Sequence, residues 1–264
     1  MLKQRIITAT VLLAFAILWL FFAKNIFFSG ISLFVCVIGF YELISMYKFS
    51  IWQKIISILL IITIALGLYY ANYDFSNIIR FTATLFWCFL TPLILLLQPR
   101  SFSKIVVVFL GFLIFIIAFY ALVVLQMALG PWPLLSIMAI AWIADTGAYF
   151  VGKGIGKHKL APNISPGKSI EGAIGGLIFV VLYLFLLKNF TAISYLRDDF
   201  AVVKFAVLVT IVSILGDLLE SWFKRVSGVK DSSNILPGHG GVFDRIDSLV
   251  AVLAVSYAML YNLL

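Results

Sequence analysis

The stretch Lys104-Ile-Val-Val-Val-Phe-Leu-Gly-Phe-Leu-Ile-Phe-Ile-Ile-Ala-Phe-Tyr-Ala-Leu-Val-Val-Leu-Gln-Met127 decides the fold class. After its first lysine it carries no charge, and it exceeds the ~20 apolar residues that a helix needs to cross the hydrocarbon core of a bilayer. Backbone groups in lipid must be satisfied within the segment, so the run reads as a membrane-spanning helix. The rest of the chain has the same character. Of its 264 residues 64% are apolar and 11% charged, with a mean hydropathy of +1.15. A soluble domain carries about a quarter charged residues. The apolar content suffices for roughly eight or nine spans and leaves no room for a separate soluble domain.

Apolar runs bounded by charges or turn residues predict about nine helices, near 6–23, 26–47, 52–71, 78–98, 104–127, 133–151, 170–187, 201–223 and 248–264. The first follows Lys3 and Arg5 as in a signal peptide. It has no small-x-small cleavage site before Lys24 and is read as a retained helix. With the N-terminus in the cytoplasm, Lys3, Arg5, Lys48, Lys54, Arg100, Lys104, Lys153, Lys157, Lys159, Lys168, Lys224, Arg225, Lys230 and Arg245 fall inside. Only Lys24, Arg80, Lys188, Arg197 and Lys204 fall outside. This bias predicts an all-α, polytopic integral membrane protein, N-in and C-out. Two connections are long, 152–169 and 224–247, and both are cytoplasmic. Helices in 1–130 therefore precede a polar-rich region, 131–264. The net charge of +8 is explained by this placement, and no nucleic-acid partner is expected. Compact length points to a bacterial cytoplasmic membrane.

Cys36 and Cys88 lie in apolar runs and read as packing residues. The acids are more informative. Asp74, Asp198 and Asp199 read as solvated loop charges, and Glu42 as a carboxylate near the cytoplasmic end of the second helix, pairing with a lysine or reaching the interface. The other seven, Asp145, Glu171, Asp217, Glu220, Asp231, Asp244 and Asp247, gather in or beside the two long loops. Ionisable groups at membrane depth are costly and mark functional sites by default, although ion pairs with nearby lysines would also hold them. Asp217, Glu220, Ser221 and Lys224 share one helical face, extended by Ser213 and Gly216. Asp145 and Tyr149 form a similar pair.

The segment from Asp217 to Asp247 brings three features together. Lys224, Arg225, Lys230 and Arg245 are cations; Gly238, Gly240 and Gly241 let backbone amides approach an anion; Asp217, Asp231, Asp244 and Asp247 are hard oxygen ligands. Together they suit a metal-bound phosphate, with magnesium held by one or two carboxylates and its other positions left to water or phosphate oxygens. His239 reads either as part of this chemistry or as a turn residue; with His158 the only other histidine, zinc is not expected. The earlier loop repeats the pattern in Asp145-Thr-Gly-Ala-Tyr149, Gly152-Lys-Gly-Ile-Gly-Lys157 and Ile164-Ser-Pro-Gly-Lys-Ser-Ile-Glu171-Gly. It is not a P-loop. Gly167-Lys168-Ser169 has Pro162 in place of the first glycine, and Gly156-Lys157 has Val151 there and His158 after it.

Ser221 through Asp247 resembles the signature of the phosphatidate cytidylyltransferase (CDP-diacylglycerol synthase) family: Ser-x-apolar-Lys-Arg, four residues, Lys-Asp, then Pro-x-His-Gly-Gly-apolar-x-Asp-Arg-apolar-Asp. Asp145-Thr-Gly-Ala-Tyr-Phe and Ile164-Ser-Pro-x-Lys-Ser-x-Glu-Gly are similar to a second region of that family, whereas the first 130 residues resemble it only in being apolar helices. The resemblance implies transfer of CMP from CTP to phosphatidate, with magnesium, alone or with a second cation, at Asp217 and Asp244. It also implies a cavity open to cytoplasm and bilayer, and a homodimer. Lys224, Arg225, Asp231, His239, Arg245 and Asp247 are then the expected catalytic set. Asp145, Lys168, Ser169, Glu171, Ser221, Lys230, Gly240 and Gly241 are the expected substrate-binding set.

The residues suit that reaction. A phosphate monoester has its second pKa near ~6, so phosphatidate attacks without a dedicated base, and the task is positioning two polyanions and neutralising them. Two other readings stay open at this point. One is a CTP-using kinase of a long-chain alcohol, which would move the γ-phosphoryl group. The other is a transporter using the intramembrane carboxylates, although polarity confined to one half and one side is unlike the paired repeats of transporters.

Overall fold

A computed structural model describes residues 2–71, 75–190 and 198–261. Asp74, Arg197 and the end of the ninth expected helix, 262–264, lie outside the described residues, as do the side chains of Lys3 and Arg5. The elements are α1 (Leu2–Phe22), α2 (Asn25–Ser45), α3 (Ile51–Tyr70), α4 (Ser76–Leu85), a π turn (Phe86–Leu90), α5 (Thr91–Leu97), α6 (Lys104–Leu129), α7 (Pro131–Ile155), β1 (Lys159–Ala161), β2 (Ser165–Ser169), α8 (Ile170–Phe190), α9 (Asp199–Ser227) and α10 (Phe243–Leu260). Seven helices among the described residues are long and apolar enough to cross a membrane: α2, α3, the combined Ser76–Leu97, α6, α7, α8 and α9. The chain is an all-α integral membrane protein with one small hairpin.

The expected boundaries shift where helices continue past their apolar stretch. α7 ends at Ile155, α9 reaches Ser227 and α10 begins at Phe243, because helical hydrogen bonding does not stop where the side chains become charged. The two long loops shorten accordingly. Within the first, β1 and β2 pair antiparallel, with Lys159 opposite Ser169 and Ala161 opposite Ser165. The π turn has a local cause. Pro92 lacks an N–H and its ring crowds the preceding turn, and the Thr91 N–H reaches back five residues to the Phe86 carbonyl.

The run that decided the fold class is the central helix. α6 is apolar all round and buried from Ile114 to Leu125, with α2, α3, α7 and α10 packed around it. Phe40 and Phe243 both meet Phe115 in edge-to-face contact. α7 and α8 pack as a tight pair through small residues, as membrane helices do. A Cβ on Gly176 would lie 2.7 Å from the Ala144 carbonyl oxygen, and one on Gly172 2.8 Å from that of Ala148. α9 ends at Gly228 (φ 74°), where the Gly228 N–H bonds the Arg225 carbonyl and the Val229 N–H that of Lys224. This left-handed stop turns the chain back beside Lys224.

Candidate active site

Five segments converge on one cavity of about 730 Å³, α8 among them through Gly172, Ala173 and Gly176. α7 contributes Asp145, Tyr149 and Lys153, and the hairpin contributes Ser165, Gly167, Lys168 and Ser169. α9 contributes Thr210, Ile214, Asp217 and Lys224, and Asp231, Asp244, Arg245 and Asp247 come from the following loop and the start of α10. A second cavity of about 580 Å³ is lined by Lys230, Asn234, His239 and Gly240, and it shares Asp231 and Arg245 with the first.

Ion pairs tie these segments together. Lys168 Nζ lies 2.6 Å from Asp217 Oδ2 and joins the hairpin to α9. Lys224 Nζ sits between Glu220 Oε2 at 2.6 Å and Asp244 Oδ1 at 2.7 Å, joining α9 to α10. Ser221 Oγ donates to Asp217 Oδ1 at 3.2 Å. Asp145 and Asp247 line the same cavity as the Lys168–Asp217 pair. The cavity thus sets carboxylates and ammonium groups side by side, as required for a polyanion carried with a cation.

Other expected site residues have mainly fastening contacts. Ser169 lines the cavity, and its Oγ also accepts from the Gly172 N–H at 3.1 Å, capping α8. Arg225 Nε donates to the Ile164 carbonyl at 3.1 Å, and its side chain lines neither cavity. Glu171 accepts from the backbone N–H groups of Lys157 at 3.1 Å and His158 at 3.2 Å and pairs with His158 Nδ1 at 2.6 Å, holding the turn after α7. The His239 N–H bonds the Leu236 carbonyl, and the Leu236 N–H bonds that of Gly240 (φ 83°). His239 is therefore a turn residue that also borders the second cavity. The Gly241 N–H donates to Asp244 Oδ2 at 2.8 Å, as does that of Ser232 at 2.9 Å.

Glu42 differs from its expected place. Among the described residues it meets no lysine, and it does not reach the interface: Glu42 is fully buried, and its carboxylate accepts from Ser232, Ser233, Val242 and Phe243. Its one sequence signal was a single charge within an otherwise uncharged run, 25–47. The partner segment, two hundred residues on, could not be read from that.

No three His, Cys, Asp or Glu side chains among the described residues gather as a metal cluster. Magnesium needs only one or two carboxylates when water and phosphate complete its shell. Asp217 and Asp244 border the cavity with oxygens that now hold lysine ammonium groups. That donor set fits a hard cation.

Residues 3–263 match a family described as the cytidylyltransferase family. The chain belongs to that family. A protein named phosphatidate cytidylyltransferase from Pseudomonas aeruginosa is 38% identical over 270 residues, covering 99% of this chain and 97% of its own. A protein of the same name from Haemophilus influenzae is 50% identical over 126 residues, 47% of this chain and 44% of its own. One from Staphylococcus haemolyticus is 44% identical over 124 residues, 47% of each chain. The family match takes in the N-terminal helices as well as the signature segment.

Proposed function

We propose that this protein transfers CMP from CTP to phosphatidate, giving CDP-diacylglycerol and pyrophosphate in phospholipid biosynthesis. The observation that carries this reading is the near full-length similarity to a protein named phosphatidate cytidylyltransferase. The cavity supports it with Lys168, Lys224 and Arg245 set among five aspartates.

In this reading a phosphatidate oxygen attacks the α-phosphorus of CTP. A new P–O bond forms, and the bond from the α-phosphorus to the β-phosphate's bridging oxygen breaks, releasing pyrophosphate. The attacking group is mostly dianionic at neutral pH, so no residue need remove a proton. Lys168 and Lys224 hold phosphate oxygens on the hairpin and α9 sides. Lys230 and Arg245 hold them at the second cavity, with Ser169, Gly240 and His239 in the walls, while Ser221 and Gly241 act from behind through Asp217 and Asp244. Asp217 and Asp244 would hold magnesium, alone or with a second cation, which supplies charge neutralisation at the triphosphate. Asp231 and Asp247 would support that metal site, and Asp145 would face the substrate from α7. Positioning and electrostatics then carry the rate, as in phosphoryl transfer generally.

Nine crossings follow if α1 and α10 span beside the other seven helices, with the N-terminus and the site on the cytoplasmic side of a bacterial inner membrane. The Lys and Arg bias supports that orientation. A homodimer is expected from the family resemblance.

The deciding test uses protein in detergent with phosphatidate, magnesium and CTP labelled at the α- or the γ-phosphate. Label should enter lipid from the α-position alone, with pyrophosphate released. Entry from the γ-position would mean a lipid kinase, and no transfer from either would overturn the reading.

A further inference from the structure

We propose that Glu42, on α2, is the positioning residue for the loop between α9 and α10, holding it and, through it, Asp244 in the geometry that transfer requires. The proposal rests on the cytidylyl-transfer reading for its consequence in catalysis, but its structural half stands on contacts alone.

A buried carboxylate in an apolar helix is costly unless its oxygens are met by donors. Among the described residues, every donor that meets Glu42 comes from residues 232–243. Oε1 accepts from Ser233 Oγ at 2.6 Å and the Val242 N–H at 3.0 Å. Oε2 accepts from the Phe243 N–H at 2.7 Å and Ser232 Oγ at 3.0 Å. The two amides open α10, whose N-cap Val242 has no side-chain oxygen of its own. A helix start leaves N–H groups unsatisfied and favours a negative charge. Glu42 provides both functions from a different helix.

Asp244 faces the same serine from the other side. Its Oδ2 accepts from the Ser232 N–H and Oγ, both at 2.9 Å, and from the Gly241 N–H at 2.8 Å, while Oδ1 holds Lys224. Ser232 Oγ lies within hydrogen-bond distance of both carboxylates but has one proton to give to one of them at a time, so it couples Glu42 to Asp244 directly. Gly241 leaves space for this arrangement: a Cβ there would lie 2.6 Å from Glu42 Oε2 and collide with Ser232 Oγ. Glu42 itself borders neither cavity. Its effect on the reaction must therefore pass through the loop.

The test compares the full chain with Glu42→Gln and Ser233→Ala in lipid nanodiscs, reading hydrogen exchange and steady-state kinetics together. Glu42→Gln keeps the shape but turns an amide group toward donors. Exchange in 232–243 should quicken while that in α6 is unchanged. The kcat should fall about tenfold or more, KM for phosphatidate should stay within about twofold, and half-saturating magnesium should rise several-fold. Ser233→Ala, which removes one donor, should lower kcat by about two- to fourfold, and the double variant should be no worse than Glu42→Gln because both act on one contact. If Glu42→Gln lowers only folded yield and keeps the wild-type kcat and magnesium dependence, the proposal fails. A lowered kcat with unchanged exchange in 232–243 also overturns it, because Glu42 would then not act through the loop. If the wild-type protein transfers no CMP, the functional reading fails separately, and the exchange comparison still decides whether Glu42 anchors the loop.

Discussion

Asp217 and Asp244 border one cavity in different settings. Asp217 is met by Lys168 and Ser221, whereas Asp244 also accepts two backbone N–H groups from the loop before α10. Replacing either with asparagine keeps the size and removes the charge. Both Asp217→Asn and Asp244→Asn should abolish turnover, by about a hundredfold or more if each carries a charge-neutralising cation, with insertion and detergent elution unchanged. Incorporation of α-label into lipid at equal amounts of monodisperse protein measures it. Only Asp244→Asn should also speed exchange in 232–243. Near-normal activity from both variants would remove them from the site. The aspartates, lysines and glycines stood out in the sequence because charge is rare in this chain. Glu42 stood out equally, but nothing near it named Ser232, Ser233 or the start of α10.

Helices were readable because length and hydropathy suffice to define them, while their ends and the hairpin were not. β1 and β2 are too short to show an alternating pattern, and their pairing depends on α7 and α8 bringing the ends of the connection together. The α7–α8 contact itself is a backbone-to-backbone approach at Gly172 and Gly176. Gly176→Val should force these helices apart and cost about 1–3 kcal/mol by overpacking, read as a lower thermal midpoint in detergent. Because α7 and the hairpin line the cavity, activity should fall in the same variant. An unchanged midpoint would mean that the helices do not pack at this distance in the membrane.

For the whole molecule, the charge bias predicts sidedness. Asn234 lies in the loop before α10, and Lys204 near the opposite end of α9; both are exposed. With the native cysteines in apolar surroundings, an impermeant maleimide should label Asn234→Cys in inverted vesicles only and Lys204→Cys in right-side-out vesicles only. The reverse pattern would overturn the N-in orientation.

Membrane character, the approximate helices and the set of polar residues available for chemistry were determined by the sequence itself, since each depends on local composition and on the cost of charge in lipid. The division into two adjoining cavities, the pairing of Lys168 with Asp217 and of Lys224 with Glu220 and Asp244, and the capping of α10 by Glu42 were decided only by tertiary structure. Apart from Lys224–Glu220, which are one helical turn apart, those contacts join side chains far apart in the chain, and hydrogen bonds act over about 3 Å. Only the packing of helices around α6 brings such groups that close.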